Sequence, residues 1–87
     1  MEQGFCVRGN GADQNGGVRK LSSVNMNTDE LKESCLQQCI AYRGATGCEV
    51  IYNTANQGCY VHTRNIARGN NVANHNCWVF TKCKGKY

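Results

Sequence analysis

The chain has 87 residues, seven of them cysteine, and a formal net charge of +4. A chain of this length forms one domain, here 1–87, and its folding buries only about 60–65% of the unfolded surface. Two Phe, one Trp and four Tyr supply the large aromatic side chains, too few for a core that holds without cross-links. Dense cysteine with a thin core favours an oxidising compartment, so we expect a secreted, extracellular protein.

Composition and patterning exclude several other classes. No run is apolar enough to span a membrane, and no basic motif is interleaved with aromatics, so we expect neither membrane insertion nor nucleic-acid binding. No carboxylate pair or serine stands in a recognisable catalytic motif, and we therefore expect no enzyme. The segment Met1–Phe5 lacks the apolar stretch of a signal peptide. It indicates a mature or excised domain and leaves open whether Met1 is native.

The first third of the chain predicts two short strands. Phe5–Arg8 and Val18–Ser22 are the candidates, and the loop 9–17 between them supplies Gly and Asn for turns with positive φ. One helix follows, with Asn27 or Thr28 as its N-cap. Gly44 is a suitable C-terminal stop. Apolar residues recur at helical spacing along this segment, namely Leu31, Cys35, Leu36, Cys39, Ile40 and Tyr42.

The second half of the chain predicts a run of strands. Cys48–Asn53 and Cys59–Thr63 are rich in β-formers, and the linker 54–58 joins them as a hairpin. An irregular segment, 64–76, then leads to a final strand, Cys77–Cys83. Strands, one helix and further strands predict an α+β fold in which a single central helix packs on an antiparallel β-sheet stapled by disulfides.

Six cysteines allow fifteen connectivities, and spacing alone does not choose among them. Cys35 and Cys39 share a helix face, so both can point at the hairpin that follows; Cys39 can reach Cys48 across the helix exit, and Cys35 can reach Cys59. The alternative is a zinc site made by these four cysteines with His62 or His75. Structural zinc sites use tight cysteine pairs on turns, and Cys48 and Cys59 are not such a pair, so we expect no metal and no other cofactor.

The same pattern resembles the PAN/apple family. That family has a helix with Cys-x3-Cys followed by two strands that each open with cysteine, as Cys35–Cys39, Cys48–Asn53 and Cys59–Val61 do here. Segments in 61–78 also resemble members from marine invertebrates. The resemblance covers nearly the whole chain. It implies the bridges Cys35–Cys59 and Cys39–Cys48, and in the apple-type subset a bridge between the chain ends, from Cys6 to Cys83.

Cys77 is then the odd cysteine. It lies six residues before Cys83, so only one of the two can form a disulfide with Cys6 in a given strand register. If Cys77 forms the disulfide with Cys6, Cys83 is left as the odd thiol instead. An odd cysteine in a secreted protein indicates an interchain bridge, here a homodimer through Cys77, or a buried inert thiol.

A binding role is predicted for the segment 64–76. It is dense in planar hydrogen-bonding side chains, and long loops on rigid scaffolds often carry binding. Sugar recognition requires such groups beside an aromatic face; Trp78 and Phe80 are better explained as core residues, and His62 as structural. The candidate ligand residues are Arg64, Arg68, Asn70, Asn71, Asn74 and His75, with Tyr60 or Trp78 as the aromatic.

We therefore expect a secreted, non-catalytic binding module, whose partner is an extracellular protein or a glycan. The resemblance implies protein–protein recognition, adhesion or contact with extracellular matrix. One alternative is a lectin, for sulfated glycans among others, that uses the 64–76 loop. The other is a small secreted effector, such as a toxin or haemostasis inhibitor, that acts through its basic surface.

Overall fold

One helix packs on a five-stranded antiparallel sheet, which confirms the predicted α+β class. The structure is a computed structural model and describes residues 1–12 and 16–80. The sheet has the order β1-β7-β4-β5-β3, and β2 and β6 form a separate two-stranded ribbon. The elements are β1 (Glu2–Gln3), β2 (Cys6–Val7), β3 (Val18–Ser22), α1 (Asp29–Ala41), β4 (Gly47–Ile51), β5 (Gly58–His62), β6 (Arg68–Gly69) and β7 (His75–Val79).

Helix α1 begins and ends close to the predicted residues. Thr28 is the N-cap, and its Oγ1 accepts the backbone N–H of Leu31 at 3.2 Å, which satisfies one of the donors that a helix start leaves unpaired. Gly44, beyond the last turn, takes a φ of +81°. The predicted apolar face is too wide, because Ile40 is 56% exposed. Ile40 lies one residue beyond buried Cys39, and that step rotates its side chain away from the sheet.

The core lies between α1 and one face of the sheet. Side chains alternate along each strand, so Cys48 and Val50 of β4 point towards the helix. The same face carries two disulfides from the helix, Cys35–Cys59 and Cys39–Cys48, with Cα–Cα distances of 5.6 and 5.7 Å. Both predicted pairings are present. The buried core residues are Met26, Cys35, Cys39, Cys48, Val50, Cys59 and Val61.

The ribbon β2–β6 covers the opposite face of the sheet. Cys77 lies in β7 directly opposite Glu49 of β4, and paired residues of antiparallel strands share a face. Its sulfur is bonded to Cys6 of the ribbon, with a Cα–Cα distance of 5.3 Å. Three layers result, and each outer layer is bonded covalently to the sheet.

The Cys6–Cys77 bond shows that the expected Cys6–Cys83 bridge is wrong. No sequence pattern predicted β1, whose Glu2 pairs with Cys77 and brings the chain start beside β7. Gly4 then turns the chain with a φ of +113° and places Cys6 over the middle of the sheet. Cys77 is therefore not the odd thiol, and it cannot form the predicted interchain bridge. Cys83 lies outside the described residues.

Two further expectations need correction. The segment 64–76 is not wholly irregular, since β6 pairs with β2 through Cys6↔Gly69 and Val7↔Arg68. The last strand begins at His75 rather than Cys77, while the end predicted for it, Cys83, falls outside the described part of the chain. Within the described ranges, no helix combines the length and the apolarity that crossing a bilayer requires.

Tryptic mapping distinguishes the two candidate bridges of Cys6. Cleavage after Lys and Arg places Cys6 in peptide 1–8, Cys77 in 69–82 and Cys83 in 83–84. We expect mass spectrometry of the unreduced digest, made after free thiols are alkylated in denaturant, to find 1–8 joined to 69–82. A digest after reduction is the control and should release both peptides. Peptide 1–8 joined to 83–84 would contradict the structure.

Candidate functional site

The predicted ligand residues do not gather in one place. Arg64 follows β5 and lies near the start of β4, where its carbonyl accepts the hydroxyl of Thr46. Asn74 lies near the other end of β4, where its carbonyl accepts the N–H of Tyr52 at 3.0 Å. Gly47–Ile51 separates the two ends by about 13 Å at the usual rise per residue. The segment 64–76 therefore runs along the molecule instead of forming one pocket.

The asparagines of this segment hold the N-terminal residues in place. The Oδ1 atom of Asn70 accepts the N–H of Phe5 at 2.9 Å and that of Val72 at 3.2 Å. Asn71 donates its N–H to the carbonyl of Gln3 at 2.8 Å and takes a φ of 70°, a conformation that asparagine tolerates better than most residues. These contacts explain the Asn-rich composition by turn geometry and chain anchoring.

His75 is also engaged inside the protein. Its Nδ1 lies 2.7 Å from the carbonyl oxygen of Ala73, and because a carbonyl only accepts, the ring nitrogen is the donor. The ring packs against Phe5 with centroids 3.9 Å apart, and the residue is buried. Arg68, by contrast, is exposed in β6. Of the predicted set, the two arginines therefore offer solvent-facing charge, and His75 does not.

The two candidate aromatics lie on opposite faces of the sheet. Tyr60 pairs with Glu49 and faces the ribbon side, whereas Trp78 pairs with Cys48 and faces the helix. Trp78 packs, partly buried, against the core together with Phe80, as predicted. The hydroxyl of Tyr60 donates to the carbonyl of Asn56 at 2.7 Å. Asn70 and Asn71 contact Phe5 and Gln3 at the start of the chain instead, so the sugar site expected from the sequence is not assembled as a unit.

A buried polar pair under the ribbon is the feature that the sequence did not indicate. Glu49 Oε1 lies 2.9 Å from Nε2 of His62 and accepts the backbone N–H of Cys6 at 3.1 Å. Both side chains are almost completely buried. In the part of the chain described, Nδ1 of His62 has no hydrogen-bond partner. Glu49 lies in a strand whose five residues are all buried, and sequence alternation cannot single it out.

The position of Glu49 and His62 indicates a structural role. The carboxylate links the central strands β4 and β5 to the backbone of the ribbon, so the layer bonded through Cys6–Cys77 is also fixed by a hydrogen bond. Cys6, Glu49 and His62 offer atoms within 4.8 Å of one another, but the sulfur of Cys6 is bonded to Cys77. Only two ligand atoms then remain, fewer than a protein zinc site uses.

The second group of possible ligands is likewise occupied. The sulfurs of Cys35, Cys39, Cys48 and Cys59 lie within 4.8 Å of one another, and Cys35 Sγ is 3.5 Å from Cys48 Sγ. All four belong to disulfides. Since metals bind the thiolate form of cysteine, the oxidised cluster offers no thiolate ligand.

Comparisons of the chain with protein-family models, with curated proteins and with solved structures gave no match.

Replacing Glu49 tests its structural role. Glu49→Ala removes the acceptor from Cys6 N–H and from buried His62, and we expect the free energy of unfolding to fall by about 2–4 kcal/mol, the cost of leaving buried polar groups unpaired. The matched control Glu33→Ala removes a carboxylate from the exposed side of α1 and should cost about 0.5 kcal/mol or less. Urea denaturation of the oxidised variants measures both; equal effects would contradict the role.

Proposed function

We propose that this chain is a secreted, non-catalytic module that binds extracellular proteins. The observation that carries the proposal is that its reactive side chains form disulfides or hydrogen bonds within the fold. Six cysteines form buried disulfides, Glu49 and His62 pair beneath the ribbon, and His75 is tied to Ala73. Among the residues that the structure describes, the groups best suited to chemistry thus serve as scaffold, and recognition is left to the exposed surface.

The disulfides also support the proposed location outside the cell. Three bridges in a domain of this size are typical of proteins that fold in an oxidising compartment. They hold both outer layers to the sheet, and a scaffold fixed in this way loses little conformational entropy when its surface binds a partner. The resemblance of the Cys35–Cys39, Cys48 and Cys59 pattern to PAN/apple modules, which mediate recognition, agrees with this proposal.

Protein recognition is favoured over the lectin alternative. A sugar site needs convergent polar groups beside an aromatic face, and here the arginines, asparagines and aromatics occupy different ends and faces of the sheet. Asn70 and His75 are already engaged in internal hydrogen bonds. The exposed cations suit contact with acidic proteins, because ten Lys and Arg outnumber six Asp and Glu and give the chain a formal net charge of +4.

A binding panel tests the proposal. The oxidised protein is passed over immobilised extracellular-matrix proteins and cell-surface ectodomains, and in parallel over a glycan array that includes sulfated saccharides. We expect saturable binding to at least one protein, lost after reduction and alkylation, and none to free saccharides. The reduced, alkylated protein is the control for non-specific adhesion of a basic chain. Saturable saccharide binding, or no protein partner across the panel, would contradict the proposal.

A further inference from the structure

Strand β3 forms an open edge of the five-stranded sheet. Among the described strands it pairs with β5 alone, at the end of the strand order. Its first three residues, Val18, Arg19 and Lys20, are exposed. An unpaired strand edge presents a row of backbone donors and acceptors that can pair with another extended chain. At the other end of the sheet, β1 is only two residues long, so β3 is the edge with the length to accept a partner strand.

Hydrogen bonds of the neighbouring strand show which backbone groups of β3 face outwards. The N–H of Thr63 donates to the carbonyl of Gly17 at 2.7 Å, while the carbonyl of His62 accepts from Thr46 on the β4 side at 2.8 Å. Bonded and non-bonded pairs alternate along an antiparallel ladder. Val18, which is opposite His62, and Lys20, two residues on, therefore direct their backbone N–H and C=O groups away from the sheet.

The charge beside this edge is positive. Side chains alternate along β3, so Arg19 and Lys20 present a cation on each face of the strand, and Lys20 Nζ lies 5.6 Å from the ring centre of Tyr60. The side chain of exposed Arg64 lies beside Gly17, the residue just before β3. A Cβ atom added at Gly17 would be only 2.6 Å from the Cγ of Arg64. The exposed acids among the described residues lie elsewhere, at Glu2 of β1 and in α1.

We propose that β3 binds an extended acidic segment of a protein partner, which joins the sheet as a sixth strand. Backbone bonds to Val18 and Lys20 would give affinity, and acidic side chains on both faces of the added strand would meet Arg19 on one face and Lys20 on the other. A second copy of this chain is the poorer occupant, because two β3 edges would bring like charges together. The proposal rests on protein binding as the function and specifies the surface and the chemistry of the partner.

A synthetic peptide tests this edge directly. The probe is a blocked peptide that carries pairs of adjacent Glu residues among Val and Thr, so that both faces of its strand are acidic. Its matched control carries the same sequence with N-methyl groups on all backbone amides, which keeps the charge and removes the N–H donors from both edges. We expect the methylated peptide to bind at least tenfold more weakly. Amide shift changes on binding should centre on β3 and β5, and binding should weaken at 1 M salt, where the Debye length is about 3 Å.

Two variants of the protein provide a second test of the edge. Lys20→Pro removes an N–H that points away from β5, a change that edge strands tolerate, and should lower peptide affinity at least tenfold. Arg43→Gln removes an exposed cation two residues beyond α1 and should leave affinity within twofold. Circular dichroism checks that both variants fold; if Lys20→Pro does not, the methylated peptide still decides.

Several outcomes would overturn the edge proposal. They are equal binding of the methylated peptide, shift changes away from β3, no peptide binding, and self-association of the protein that Lys20→Pro abolishes. A partner found in the protein panel whose affinity Lys20→Pro leaves unchanged would refute the edge and retain the proposed function. A panel without any partner would refute the function itself.

Discussion

The fold depends on covalent attachment of both outer layers to the centre of the sheet. On one face of the sheet, Cys48 of β4 is bonded to Cys39 of α1. On the other face, Cys77 of the adjacent strand β7 is bonded to Cys6 of the ribbon. Cys35–Cys59 adds a second link from α1 to β5. Since few large apolar side chains are buried, these bonds take the place that aliphatic packing has in larger domains.

The Cys6–Cys77 bond constrains the most chain. It spans a sequence separation of 71 residues, and closing a loop of that size in the unfolded state is worth about 4 kcal/mol in the chain-entropy model. That is a large part of the roughly 5–15 kcal/mol that stabilises a small domain. The same bond holds the ribbon over Glu49 and His62, which keeps water from a polar pair that would otherwise be solvated.

Sequence patterns predicted the parts of the fold that depend on local signals. The N-cap before α1, the β-rich runs around the 54–58 turn and the helical spacing of Cys35 and Cys39 are local, and the helix, the hairpin and two disulfides followed from them or from the family resemblance. The partner of Cys6 depended on β1, a two-residue strand stabilised by pairing 75 residues away along the chain. No local pattern marks such a strand, and the odd cysteine was assigned wrongly for that reason.

The candidate site shows the same division. Residue type alone indicated the asparagines of 64–76 as ligand residues, but asparagine also occurs commonly in turns. A hydrogen bond such as that from the N–H of Phe5 to the Oδ1 of Asn70 could be known only from the fold. The outward direction of the backbone groups of Val18 and Lys20 depends on strand register, which the composition of β3 does not specify. Among the described strands, the strand order leaves that basic edge unpaired.

Reduction of the three bridges tests whether disulfides hold the layers together. The protein is fully reduced, alkylated and compared with the oxidised form by near-ultraviolet circular dichroism, which reports the packing of Trp78 and the tyrosines. We expect the near-ultraviolet signal to disappear on reduction, because the thin core cannot hold α1 and the ribbon on the sheet. A native-like signal in the reduced, alkylated protein would contradict it.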